Sequence, residues 1–308
     1  RQAMRSYQFY QLDVFTDQRF GGNPLAVFPD AEGLSDREMQ QLAKEMNLSE
    51  TTFVTPSPKP DVDFRVRIFT PATEVPLAGH PVVGTHYLLA ELGRIPLREP
   101  VTRIHQELNV GILPVDIYVD NGQVQRVVMT QDMPKFLLEW SDIGRLATAL
   151  GIPEVEIRSA GLLPQVVSTG MPQMMIPVRS LRAVQNAKPN SAALIEIGHE
   201  AGTDCFAIFT EETLFEGHDL HMRMFAPGFG IMEDPATGSA SGGLGAYLVE
   251  NQVVLPGPDG TVYLVNEQGY EIDRPSTIFI EVDGSGDGIN AVRVGGQAVS
   301  YITGTVQL

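Results

Sequence analysis

The stretch Asp234-Pro-Ala-Thr-Gly-Ser-Ala-Ser-Gly-Gly243 runs directly into the apolar segment Leu244-Gly-Ala-Tyr-Leu-Val249. This pattern predicts a turn of small residues that opens into a buried helix. The first backbone N–H groups of such a helix have no partner within it and favour an anion in front of them. The small side chains let a ligand approach that backbone. We therefore predict an anion-binding helix N-terminus with the Asp234 carboxylate at its entrance.

A second stretch of the same design lies in the first half of the chain. Thr70-Pro-Ala-Thr-Glu-Val-Pro-Leu-Ala-Gly-His80 leads into another apolar segment, and the strand patterns before the two stretches, Arg65–Phe69 and His221–Phe225, match each other. This long period indicates a duplicated domain. It predicts an α+β protein of two pseudo-symmetric domains, each a curled, mostly antiparallel sheet around a central helix. Both helix entries are expected to serve one anion site between the domains.

The predicted domains cover residues 4–127 and 128–308, with the last strand pairing back onto the first domain as the alternative. The three residues before Met4 are expected to be a cloning remnant, with Met4 as the natural start.

The composition of the chain argues against several classes of partner and of protein. The 308-residue chain is 43% hydrophobic and 19% charged, and its net charge of −17 argues against nucleic acid or an anionic membrane as partner. Cys205 is the only cysteine, so no intramolecular disulfide can form. No apolar run approaches the length of a membrane span, and no signal-peptide pattern occurs. We predict a cytoplasmic protein whose partner is a small anionic carboxylate.

Taken alone, the polar residues of these stretches leave their roles open. Glu50 at a strand end is typical of a solvated residue, and His80 is typical of a packed or capping histidine. Asp234 before proline is typical of a turn former or a helix cap.

Several separated motifs, in order along nearly the whole chain, change this interpretation. The sequence resembles the phenazine-biosynthesis PhzF-like isomerase family. It departs from the family pattern at Asp273, where a glycine is expected. The motifs are Phe20-Gly-Gly-Asn-Pro-Leu-Ala-Val27, Leu48-Ser-Glu-Thr-Thr-Phe53, Arg67-Ile-Phe-Thr-Pro71, Leu77-Ala-Gly-His-Pro-Val-Val-Gly84, Glu233-Asp-Pro-Ala-Thr-Gly-Ser239, Gln268-Gly and Arg274-Pro-Ser276.

The resemblance implies a diaminopimelate-epimerase-like fold and a homodimer. Glu50 matches the catalytic carboxylate of the family, and His80, Asp234 and Ser239 match its other polar active-site residues. The implied activity is that of a cofactor-independent isomerase that moves a proton within a small cyclic or unsaturated carboxylic acid. The best-known reaction of the family isomerises a dihydro-hydroxyanthranilate in phenazine biosynthesis.

Racemases of this fold use two cysteines, one at each helix entry, whereas this chain places Gly79 and Ser239 there. A two-thiol racemase is therefore excluded by the cysteine count. Glu50 remains as the predicted general acid and base. The entry residues Gly79, Thr237 and Gly238, together with Ser239, are predicted to bind the substrate carboxylate.

Two alternatives remain open: an epimerase-like enzyme with a non-thiol base, and a catalytically silent protein that binds small acids. His218 and His221 have a spacing that could suit a metal, but a solvated strand lead-in is favoured, and no metal is predicted. The four lysines lie outside the motif stretches, which argues against a Schiff-base cofactor. No cofactor is predicted.

Overall fold

The computed structural model describes residues 4–308, so the prediction for the three residues before Met4 falls outside the described residues. The chain divides into two compact units. The first extends up to Thr130 and includes Gly295–Leu308, and the second is Gln131–Val294. The expected boundary after residue 127 thus falls inside a strand, and the last residues belong to the first unit. None of the helices in residues 4–308 is long and apolar enough to cross a membrane.

The secondary structure of the described chain is mixed. Up to Thr130 it comprises β1 (Ser6–Val14), β2 (Asn23–Phe28), α1 (Asp36–Met46), β3 (Glu50–Thr55), β4 (Phe64–Phe69), β5 (Glu74–Val75), α2 (Gly79–Glu91), β6 (Val101–Leu108), β7 (Gly111–Asp120) and β8 (Gln123–Thr130). It continues with β9 (Lys135–Glu139), α3 (Ile143–Leu150), α4 (Glu154–Arg158), β10 (Gln165–Ser168), β11 (Pro172–Pro177), α5 (Leu181–Asn186), α6 (Ser191–Ala201), β12 (Phe206–Thr210), β13 (Leu220–Ala226), β14 (Ile231–Asp234), α7 (Gly238–Glu250), β15 (Thr261–Gln268), β16 (Ser276–Ser285), β17 (Gly288–Gly296) and β18 (Ala298–Gln307), with short 3-10 helices at Pro227–Phe229 and Tyr270–Ile272.

The sheet of the first unit is mostly antiparallel. Its β1–β2, β3–β4, β6–β7 and β7–β8 pairs are antiparallel, whereas β2–β3 and β4–β6 are parallel. β18 runs antiparallel along β1, from Ser6 opposite Gln307 to Val14 opposite Ala298. This pairing is why the chain from Gly295 onward belongs to the first unit.

The second unit repeats this order of pairings. β10–β11, β12–β13 and β15–β16 are antiparallel, whereas β11–β12 and β13–β15 are parallel. β9 pairs with β10 in the place that β18 takes on β1. The predicted α+β architecture of two similar units is confirmed.

A central helix packs inside each sheet. α2 contacts β1, β2, β3, β8 and β18, and α7 contacts β10, β11, β15 and β16. A Cβ atom on Gly243 would lie 2.8 Å from the Met175 methyl group, and one on Gly245 would lie 2.5 Å from a methyl group of Ile280. These glycines are therefore needed for the strands to approach the helix. This packing role is separate from the ligand access predicted for the small residues at the entry.

The remaining helices cover other sheet faces. α1 begins with a capping box between Ser35 and Glu38, as its sequence predicts, and its Met39 and Leu42 pack in a core cluster with Phe53. In the second unit, α3, α5 and α6 pack against the side chains of β11 and β12 that point away from α7. β11 and β12 are thus buried on both faces.

Equivalent arginine–glutamate pairs stabilise the hairpin before each central helix. Arg67 on β4 donates from Nε and Nη2 to the two carboxylate oxygens of Glu74, at 2.8 Å each. Arg223 on β13 donates from Nη2 to Glu233 at 2.6 Å. In both units the pair ties the strand to residues shortly before the helix, and it thereby defines how the chain enters that helix.

Candidate active site

Glu50 and His80 lie together in the first unit. Glu50 begins β3 opposite Leu25, and His80 is the second residue of α2. His80 Nε2 is 3.2 Å from Glu50 Oε2, a short contact whose alignment falls outside that of a hydrogen bond. Such contacts often tighten only when substrate binds. The carboxylate is 18% exposed and the imidazole is buried, so a ligand can reach Glu50.

The environment of His80 favours the neutral ring. Burial disfavours the charged imidazolium and lowers the pKa of His80 to about 3, although a hydrogen bond to the Pro24 carbonyl acts in the opposite direction. The contact with Glu50 is therefore not an ion pair at neutral pH. A carbonyl can only accept, so the ring nitrogen that binds Pro24 carries the hydrogen.

The hydrogen bond to Pro24 determines which nitrogen of the His80 ring faces Glu50, and whether that nitrogen donates or accepts. Because Nε2 makes no aligned hydrogen bond, the bond to Pro24 belongs to Nδ1, and Nε2 of the neutral ring is then an acceptor. When Glu50 is protonated, its O–H group therefore has an acceptor nitrogen beside it.

We predict that His80 stays neutral at pH 5, where an ordinary imidazole with a pKa of about 6.5 is mostly charged. Nitrogen-15 spectra of histidine-labelled protein measure this directly, and a His80→Asn variant assigns the signal. An imidazolium signal for His80 at pH 5 would contradict the prediction. Since the unfolded chain takes up this proton below pH 6.5 and the folded protein only near pH 3, His80 lowers stability progressively as pH falls across that window.

In the second unit, Asp234 ends β14 and is bonded to the turn before α7. The Thr237 hydroxyl donates to Asp234 Oδ2 at 2.5 Å, and the same hydroxyl accepts from Gln268 Nε2 at 3.0 Å. Gln268 also accepts from the Thr237 N–H at 2.8 Å and donates to the Asp234 carbonyl at 2.8 Å. Gln268 thus directs the single Thr237 proton toward Asp234, which is held as a buried acceptor.

Ser239 is the second residue of α7, and uncharged side chains support it. Gln173 Nε2 donates to Ser239 Oγ at 2.5 Å, so the Ser239 hydroxyl proton is directed elsewhere. Gln131 donates to the Gly238 carbonyl at 2.9 Å, and Thr169 donates to Gln131 at 2.7 Å. Gly238 and Ser239 are therefore held by neutral dipoles, whose charge does not change with pH.

The structure corrects one detail of the predicted site. Thr237 is expected to bind substrate, but its N–H and hydroxyl groups are already bonded to Gln268 and Asp234, so it supports Asp234 instead. Within the helices, Gly79 is the first residue of α2 and Ser239 is the second of α7. His80 occupies the position that corresponds to Ser239. Gly79 and Gly238 each begin their helix.

Gln131, Gln173 and Thr169 were missed by sequence reasoning because they belong to no motif. Gln268 belongs to the Gln268-Gly motif, but the motif by itself predicts no role for it. Their importance depends on strands that only the fold brings to the α7 entry.

The expectation that His218 and His221 form a solvated strand lead-in is wrong for His221, whereas His218 is partly exposed before β13. His221 is fully buried on β13, and the Nδ1 atoms of both histidines lie within 2.8 Å of the Glu267 carboxylate. Sequence spacing could not reveal Glu267, which lies far along the chain on the neighbouring strand β15. Across residues 4–308, the described side chains form no cluster of three or more His, Cys, Asp or Glu residues suited to a metal ion.

Cys205 is unsuited to thiol chemistry. Burial, together with the nearby charges of Asp204 and Asp234, raises the pKa of its thiol to about 12, so the reactive thiolate is scarce at neutral pH. This agrees with the exclusion of a two-thiol mechanism.

Comparison with known proteins supports the fold and the reaction class. A trans-2,3-dihydro-3-hydroxyanthranilate isomerase of Pseudomonas aeruginosa is 32% identical over 303 residues, which cover 98% of this chain and all of the relative. A Bacillus anthracis phenazine biosynthesis protein of the PhzF family has a structure similar to this one, with a TM-score of 0.88 and 30% identity over 99% of this chain and 100% of that one.

A hydroxyproline epimerase of Agrobacterium vitis shares the fold alone, with a TM-score of 0.67 at 15% identity over 99% of this chain and 93% of the other. The expected epimerase-like fold is confirmed. The expected isomerase is also confirmed at the level of the family, because the relatives are named isomerases. A family model described as phenazine biosynthesis-like protein, PhzC-PhzF, matches residues 12–304. The chain belongs to this PhzC-PhzF family of phenazine biosynthesis-like proteins.

Proposed function

We propose that this protein is an isomerase that moves a proton within a small cyclic or unsaturated carboxylic acid, without a cofactor, by general acid and base catalysis at Glu50. The contact between Glu50 and His80 carries the proposal. It places a partly exposed carboxyl group next to a buried, neutral imidazole that has an acceptor nitrogen facing it.

In the proposed reaction, the Glu50 carboxylate takes a proton from a carbon next to the conjugated system. The C–H electron pair enters that system, and the proton rests on Glu50 beside His80 Nε2. The same carboxyl group then returns the proton to another carbon of the system. One proton leaves and one arrives, so no oxidant, reductant or second substrate is needed.

The second unit offers two groups for substrate recognition. Asp234 is an acceptor oriented by Thr237, and it suits an N–H or O–H group of a substrate. Ser239 has one lone pair occupied by Gln173, which leaves its hydroxyl proton for a substrate carboxylate. The N–H groups of the first turn of α7 favour the same anion. These roles are part of the proposal.

The name of the Pseudomonas aeruginosa relative makes hydroxyanthranilate-type acids the first substrates to test. We expect 3-hydroxyanthranilate, as a product analogue, to raise the melting temperature, because a ligand at 100 times its Kd adds about 2.7 kcal/mol to the free energy of unfolding. Turnover of the dihydro acid in D2O should place deuterium at the carbon that receives the proton, to the extent that the proton on Glu50 exchanges with solvent before it is returned.

The other outcomes favour the alternatives. Deuterium at a stereocentre with inversion would favour an epimerase with a non-thiol base. Binding of such acids without turnover of any of them would favour a silent acid-binding protein. No melting-temperature shift with any hydroxyanthranilate-type acid would contradict the proposed substrate class.

We also propose a cytoplasmic homodimer that acts in a biosynthetic pathway, and phenazine biosynthesis is the first candidate. The single cysteine supports a reducing compartment, since it allows no internal disulfide. Sedimentation equilibrium tests the dimer, and a monomer mass at micromolar concentration would contradict it.

A further inference from the structure

A buried charged network surrounds His221 on β13. In the parallel pairing of β13 with β15, His221 lies opposite Glu267. Its Nδ1 is 2.7 Å from Glu267 Oε2, and its Nε2 is 2.6 Å from Glu271 Oε1. An ionised carboxylate can only accept, so between two carboxylates both ring nitrogens carry hydrogen. The geometry indicates an imidazolium inside the protein.

Glu267 is fully buried, and several hydrogen-bond donors surround its carboxylate. Besides His221, its carboxylate accepts from the N–H groups of Leu214 and Phe215 at 3.0 Å and lies 2.8 Å from His218 Nδ1. Burial raises the pKa of Glu267, but these hydrogen bonds outweigh that effect and lower it. The carboxylate therefore joins the segment before β13 to the end of β15.

The next residue, Gln268, forms hydrogen bonds with Asp234 and Thr237 and not with the network around His221. The chain then turns at Gly269, where a Cβ atom would lie 2.5 Å from the Pro235 carbonyl oxygen. Further on, Ser276 Oγ donates to the same carbonyl at 2.9 Å. The segment from Gln268 to Ser276 therefore lies against Asp234 and Pro235, and it carries Glu271 in its middle.

We propose that His221 is a positioning residue. As an imidazolium between Glu267 and Glu271, it holds the segment from Gln268 to Ser276 in the conformation in which Gln268 orients Thr237 and Asp234. Its effect on catalysis rests on the proposed function, whereas its effect on the Gln268 contacts does not.

The charge of His221 depends on the groups that face it. These are Glu267 on β15, Glu271 on the 3-10 turn, Thr210 across the pairing with β12, and the Tyr270 ring at 5.9 Å; His218 shares Glu267. Burial lowers the pKa of His221, but the bonds and charges of the two glutamates outweigh burial and raise it to about 9. The stabilisation is therefore complete below pH 6.5 and is lost as pH rises through about 9.

The first experiment needs no substrate. Nitrogen-15 spectra of histidine-labelled protein, recorded from pH 6 to pH 10, should show both nitrogens of His221 protonated at pH 7. In Glu271→Gln, which keeps the side-chain size and removes one charge, loss of the proton should occur at lower pH. Glu216→Gln, at an exposed position nearby, is the control and should leave it unchanged. A neutral His221 ring at pH 7 would overturn the proposal.

The second experiment measures positioning separately from stability. In Glu271→Gln, the Thr237 amide, which donates to Gln268, should exchange its hydrogen about tenfold faster, as expected for local opening. Amides in the middle of α7, such as Tyr247, should change little. An equal increase at both amides would indicate loss of global stability and would contradict a positioning role.

Where turnover is found, Glu271→Gln should raise KM about tenfold with a smaller change in kcat, because the misplaced Asp234 acts in substrate binding. The alkaline limit of kcat/KM should move to lower pH in the same variant. An unchanged pH profile would overturn the catalytic part of the proposal. Absence of turnover in the wild type would count against the proposed function alone, since the two spectroscopic tests stand without it.

Discussion

Replacing Glu50 with glutamine is expected to lower kcat by about 10²–10⁴-fold, the range that a positioned general acid or base contributes. Glutamine keeps the shape of the side chain beside His80 but cannot take up and return a proton. Since the lost interaction acts mainly in the transition state, KM should change little. Steady-state kinetics on the substrate identified by the binding assay measure both constants.

The matched control is Glu45→Gln, at an exposed position on α1, which should leave kcat unchanged. Asp234→Asn provides the competing test, because Asp234 is the other carboxylate of the predicted site. If Glu50→Gln retains full activity and Asp234→Asn loses it, the proton is carried by Asp234 and the Glu50 mechanism is wrong. If both lose activity but only Asp234→Asn raises KM, Asp234 acts in binding, as proposed.

Replacing Arg223 with methionine is expected to lower the free energy of unfolding by about 3–5 kcal/mol, as for removal of one partner from a buried ion pair. Both side chains of the pair with Glu233 are only 9% exposed. Arg223 Nη1 also donates to the carbonyls of Val184 and Ala187, at 3.0 and 3.1 Å. Methionine fills similar volume but leaves Glu233 charged and buried. Urea unfolding of the variant and the wild type measures the loss.

Arg67→Met is the control for this prediction, since Arg67 has the equivalent place on β4. Its partners are more exposed: the Glu74 side chain is 24% accessible and that of Asp36 is 86% accessible. Solvent screening should limit the loss there to about 1 kcal/mol. Equal losses in the two variants would contradict the idea that burial makes the Arg223 pair costly to break. Adding Glu233→Gln to Arg223→Met should recover part of the loss, because it removes the uncompensated charge.

The fold could be predicted to a large extent because its signals are local. Ser35 and Glu38 indicate the start of α1, and the alternation from Arg65 to Phe69 indicates β4. The apolar segments after His80 and after Gly243 indicate helices that must be buried on all sides. The limits of the two domains were harder to predict from the sequence. The pairing of β18 with β1 joins the two ends of the chain, and no local pattern at Ala298 reveals its partner.

Part of the candidate site could likewise be predicted from local motifs, and part of it could not. Glu50, His80, Asp234 and Ser239 stand in motifs that can be compared with a family. The acceptor nitrogen that His80 turns toward Glu50 depends on the burial of the imidazole and on the Pro24 carbonyl, which are properties of the folded chain. The support of Asp234 by Gln268, and of Ser239 by Gln173, likewise depends on strand neighbours.

The sequence by itself determined the duplicated α+β design, the two buried helices with small residues at their entries, and the absence of a second thiol. These follow from residue order and count, which folding does not alter. Only the tertiary structure decided that His221 is a buried imidazolium between Glu267 and Glu271 and that Thr237 supports Asp234. The physical reason is that the charge state of a buried group depends on which distant side chains become its neighbours, and strand pairing across long separations selects those neighbours.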